Sequence, residues 1–79
     1  MEFYSNDQVT KRIKSIRTLA GFTQAEMADK LGVTVKVYSK YENNPYSVPI
    51  AKLVPVAEML GCTVGDFFVD KGYAKSVVQ

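Results

Sequence analysis

Apolar residues recur at helical spacing along most of this chain. Val9, Ile13, Ile16 and Ala20 lie three or four apart and form one stripe of a first helix, capped at Asn6 or Asp7 and running to about Leu19. Lys11, Arg12 and Lys14 lie off that stripe, and Gly21 follows as a stop. A second helix opens at Thr23, whose hydroxyl can accept from the first turn while Glu26 reaches back, a capping box. Phe22 and Met27 have staple spacing, Ala28 and Leu31 extend the apolar face, and Gly32 ends it. Thr34 caps a third helix from about Val35 to Asn43, with Val33 and Tyr38 repeating the staple.

That third helix has two sides. Tyr38 and Tyr41 pack inward, whereas Val35, Lys36, Ser39 and Lys40 face outward. Asn43-Asn44-Pro45-Tyr46-Ser47 is a turn by composition. A fourth helix lies within Pro49–Leu60, and Pro55 favours a late start with the proline in its first turn, since a mid-helix proline removes a hydrogen bond. Leu53, Val56, Ala57 and Leu60 form its buried stripe, and Gly61 stops it. Thr63 caps a short fifth helix, Val64 to Phe68, with Asp66 near its positive end. The expected class is all-α, with residues 1–6 as a loose arm, 7–68 as one helical domain and 69–79 as a tail that permits a strand without requiring one.

Composition narrows the function more by exclusion than by assertion. The chain has 79 residues, 47% of them hydrophobic, enough for one small core. A single cysteine and no histidine leave no metal site, no cofactor-binding motif and no histidine-based catalytic set to assemble, so an enzyme is the poorest reading. No apolar run reaches membrane-spanning length and no signal peptide is evident, from which a cytoplasmic protein is expected. The net charge of +2 says little, but residues 1–48 hold seven Lys/Arg against five Asp/Glu while residues 49–79 hold three of each. The basic excess sits in the half of the chain that carries the second and third helices.

Helix, glycine turn, helix, with small Ala28 at the close approach, resembles the helix-turn-helix of the Cro/repressor-like (XRE-type) DNA-binding family. Gln24, Ala28, Gly32, Val33, Tyr38 and Tyr41-Glu42-Asn43-Asn44 carry the likeness, which extends from about Arg12 to Phe68. It implies a five-helix lambda-repressor-like fold with the third helix in the major groove of double-stranded DNA. Val35, Lys36, Ser39 and Lys40 would then face base edges, Val35 toward a thymine methyl group and the lysines toward guanine or phosphate. Thr23, Gln24, Arg12, Asn43, Tyr46 and Ser47 would face phosphates, although an exposed polar loop or a solvated basic face explains several of them as simply. The resemblance also pairs Arg17, oddly close to the apolar stripe, with Glu42 as a structural ion pair. Cys62 stands where the family usually has Val, which makes it a buried, inert thiol.

Phe67 and Phe68 adjoin each other, so one helix face cannot bury both. One completes the core, and the other awaits cover from a second copy, with Val64, Phe67, Phe68 and Val69 as the candidate dimer surface. The expected function is a transcriptional regulator of repressor type, a homodimer on a palindromic, nucleoid operator. The alternative is an antitoxin-like interaction module whose tail binds another protein.

Overall fold

A computed structural model describes residues 2–70 and contains five helices and one small strand pair. Helix α1 spans Asn6–Leu19, α2 Gln24–Leu31, α3 Val35–Asn43, α4 Ile50–Met59 and α5 Val64–Phe68, with a single 3₁₀ turn at Pro45–Ser47 between α3 and α4. The helices surround a core of Val9, Ile13, Met27, Ala28, Tyr38, Val56, Ala57 and Phe67. All-α is therefore the right class, and the helix-turn-helix of α2 and α3 sits where the capping signals put it.

Local chemistry explains the tight geometry of that motif. Thr23 and Glu26 cap α2 reciprocally: the Thr23 hydroxyl accepts from the Glu26 N–H at 3.1 Å, and the Thr23 N–H donates to Glu26 Oε1 at 2.9 Å. These bonds hold the Glu26 carboxyl below its ordinary pKa, the backbone bond contributing most. Gly32 takes φ +73°, and the Val33 N–H then reaches back to the Ala28 carbonyl at 3.0 Å, closing the turn from which α3 starts. No side chain crowds Gly32, so it is the backbone angle alone that calls for glycine.

Four expectations are corrected. Ser5, not Asn6 or Asp7, caps α1, in a capping box with Gln8. The arm is not loose: Glu2–Phe3 forms strand β1, antiparallel to β2 at Val69–Asp70, with Glu2 opposite Asp70 and Phe3 opposite Val69. Helix α4 does not start late. It begins at Ile50 and carries Pro55 in its interior, because burial of Leu53, Val56 and Ala57 outweighs the lost bond, and both Pro55 and Ala51, whose carbonyl that bond would have used, are exposed residues. Finally, Ala20 is exposed and ends the α1 stripe one turn early. The suggested alternation at Tyr73, Lys75 and Val77 lies outside the described residues.

Candidate functional site

Helix α3 is the element to which the other two anchor. Tyr38 and Glu42, four residues apart on its inner side, are both fully buried. A buried carboxylate needs partners for its charge and its lone pairs, and Glu42 has three. Arg17 of α1 donates from Nε to Oε2 at 2.6 Å, Gln24 of α2 donates from Nε2 to Oε1 at 3.0 Å, and the Tyr38 hydroxyl donates to Oε2 at 2.5 Å. Arg17 also donates to the Phe22 carbonyl at 2.8 Å, at the entrance to α2. One carboxylate thus locks α1, α2 and α3 together. Burial, and next the bond to Glu42, raise the Tyr38 phenol far above its ordinary pKa, so it stays a neutral donor.

The opposite side of α3 is open. Lys36 and Lys40 stand two residues either side of Tyr38, which puts them roughly 160° around the helix from it, facing solvent. Val35 beside them is 47% exposed. Ser39 is half-buried at the flank and accepts from Asn43 Nδ2 at 3.0 Å, so Ser39 and Asn43 form one polar unit over the last turn. Val37, 39% exposed, completes the other flank, a placement that stepping the helix from Tyr38 by about 100° per residue also gives. The open face is a basic strip edged by valine on both sides.

The residues expected on phosphates divide. Thr23 and Ser47 are exposed and Gln24 is half-buried, with the first-turn N–H groups of α2 beside Thr23 and Gln24. The Gln24 amide, however, already gives one N–H to Glu42. Arg12 and Tyr46 also make contacts within the chain. Arg12 donates from Nε to the Asp66 carbonyl at 2.8 Å and lies over the Tyr4 ring, which ties α1 to α5 and β1. The Tyr46 hydroxyl spends its one proton on the Tyr4 carbonyl, and its ring meets Phe68 edge-on at 5.0 Å.

The candidate dimer residues also change. Phe67 is fully buried in the core and offers nothing to a partner. Phe68 is half-buried and covered in part by Tyr46 of the same chain. Around it lies an apolar groove of about 390 Å³, lined by Phe3, Tyr46, Ile50, Val64, Phe68 and Val69 among others. Cys62 is half-buried rather than buried. No group of acidic, cysteine or histidine side chains suited to a metal occurs among the described residues, and none of their helices is long and apolar enough to cross a membrane.

Comparison with known proteins adds to this geometry. A family model described as helix-turn-helix matches residues 13–67. Antitoxin HipB of Escherichia coli K12 is 30% identical over 59 residues, 75% of this chain and 67% of its own length. The SPbeta prophage-derived HTH-type transcriptional regulator YonR of Bacillus subtilis is 34% identical over 65 residues, 82% of this chain and 59% of its own length. An HTH-type transcriptional regulator of Sinorhizobium medicae is 32% identical over 62 residues, 78% of this chain and 45% of that protein. This chain therefore spans from about half to two thirds of these relatives. Among solved structures, CoII HppE in complex with Tris buffer superposes with a TM-score of 0.70 at 21% identity, covering 87% of this chain and 42% of that one, a likeness of fold alone.

Proposed function

The chain belongs to the XRE-type helix-turn-helix family of DNA-binding regulators, and from that premise we propose that it is a sequence-specific repressor acting as a homodimer on a palindromic operator in the cytoplasm. The observation that carries the proposal is the open face of α3. Lys36 and Lys40 point away from a helix whose inner side is fully committed, and Val35 sits at its first turn. In this reading α3 enters the major groove, with Val35 on a thymine methyl group and the lysines on guanine or phosphate, while Thr23, Ser47 and the N–H groups opening α2 hold the sugar–phosphate backbone. Asn43 supports the same edge through Ser39. Two copies would meet through Val64, Phe68 and Val69 and read half-sites about one helical turn apart. Nothing in the proposal is enzymatic; occupancy of a promoter is the whole effect.

Selection of bound sequences from a random DNA pool tests this directly. A palindromic consensus is expected, with half-site spacing that reports the dimer. No enrichment at low salt would move the weight to a second reading, an antitoxin-like module whose principal partner is a protein. The apolar groove beside Phe68 and the likeness to a protein named antitoxin favour that reading over any other alternative.

A further inference from the structure

We propose that Asn6, acting with Tyr46, is a positioning residue for DNA binding: it fixes the loop that leaves the recognition helix and fastens that loop to the β1–β2 strand pair. The inference rests on the DNA-binding reading above but concerns residues outside the surface that reading uses. Because Ser5 caps α1, the Asn6 side chain at the first helical position is not needed by its own helix. Both ends of its amide are instead spent on the far side of α3. Nδ2 donates to the Asn43 carbonyl at 3.3 Å, and Oδ1 accepts from the Tyr46 N–H at 3.4 Å. Those are a carbonyl at the end of one helix and an N–H at the start of the next turn, two backbone groups that helical bonding leaves without partners.

Tyr46 carries the connection onward. Its hydroxyl donates to the Tyr4 carbonyl and its ring packs on Phe68, while the Tyr4 N–H donates to the Phe68 carbonyl at 2.8 Å. A run of contacts thus leads from Asn43 to the residue before β2. Its side-chain hydrogen bonds all lie at the surface, where each adds little to global stability. Their effect falls on the loop itself. Lys40, Asn43 and Ser47 flank it, and a loop that is already ordered loses less entropy when it settles on a phosphate backbone. The expected signature is a binding defect larger than the stability defect.

The test uses the full chain with Asn6→Ala and, as its control, Asn6→Asp. Without DNA, amide hydrogen exchange at Tyr46, Ser47 and Val48 should accelerate several-fold in Asn6→Ala. Affinity for the selected operator, measured well below the melting temperature, should fall roughly 3- to 10-fold, the size of one hydrogen bond, with little change in Tm. Asn6→Asp, which keeps the acceptor for Tyr46 and loses the donor to Asn43, should restore protection at Tyr46 only. Unchanged exchange would overturn the proposal, as would faster exchange with affinity within twofold of the parent. A parent chain that binds no DNA would sink the functional reading instead, and exchange would still report whether the clamp exists.

Discussion

The two sides of α3 are built on opposite terms. On the inner side Glu42 is 0% exposed and receives Arg17, Gln24 and Tyr38, so each of its oxygens is engaged. On the outer side, among the described residues, Lys36 and Lys40 form no ion pair, and Val35 and Val37 leave apolar surface in water. The inner side fixes where the helix lies; the outer side is left for something else to complete. Side chains one or two positions apart in sequence thus act on different observables, stability for one set and binding for the other. Each substitution below either keeps those observables apart or breaks the distinction.

The largest effect belongs to the buried pair. Arg17→Met and Glu42→Gln should each cost about 3–5 kcal/mol, since either change leaves the other charge or its donors stranded in the interior. The double variant should cost less than the sum of the singles, and denaturant titration of all four proteins measures the coupling. Additive losses would mean that the bond at 2.6 Å contributes no net energy.

Tyr38→Phe should come next, at about 1.5–3 kcal/mol, because it removes a donor to a charged acceptor. The pH dependence identifies the cause. Tyr38 keeps its proton in the folded chain, chiefly through burial and then through Glu42, whereas in the unfolded chain it ionises near its ordinary value of 10.0. Its contribution is therefore complete below pH 10 and is lost as pH rises, at about 1.4 kcal/mol per pH unit. The gap between parent and Tyr38→Phe should narrow between pH 9 and 11. A constant gap would place the effect in packing rather than in the hydroxyl.

Legibility in the sequence followed locality. The caps at Thr23 and Thr34 and the stop at Gly32 are short-range chemistry, and each was readable from a few neighbouring residues. The Arg17–Glu42 contact spans 25 positions and was accessible only through family resemblance. Strand β1 offered nothing to read: two residues have no period, and their partners lie at the other end of the described chain. Ser5 does not stand out as the cap of α1, because Ser, Asn and Asp are nearly equal as caps and the adjacent candidates cannot be ranked. Which of Phe67 and Phe68 is buried, and what covers the other, is not readable in sequence, because the cover of Phe68, Tyr46, comes from a loop whose path depends on the whole fold. The intrachain bonds of Arg12 and Tyr46 are hidden for the same reason, since exposure to a ligand and exposure to a distant part of the same chain look alike in sequence.

The outer face should give the smallest effects in stability and the most specific ones in binding. Val35→Ala, Lys36→Ala and Lys40→Ala should each leave Tm nearly unchanged, since their side chains are exposed. On the selected operator, Val35→Ala should change the preference at one base pair per half-site by about 1 kcal/mol, the low end for a lost base contact, and leave other positions alone. The lysines are sorted by salt. A lysine that touches only phosphate, when removed, lowers the slope of log K against log salt by about one unit per subunit and weakens all sequences together. A lysine that reads guanine relaxes preference at that base pair instead. Gln24→Ala is the informative companion, because its amide bears on both sides of the comparison: it gives one N–H to Glu42, and it stands at the start of α2, which the proposed binding mode turns toward phosphate. A uniform loss of DNA affinity together with a modest fall in Tm is expected for it, and for no residue on the outer face. If Val35, Lys36 and Lys40 can all become alanine with affinity and sequence preference intact, α3 does not read DNA and its open face serves another partner.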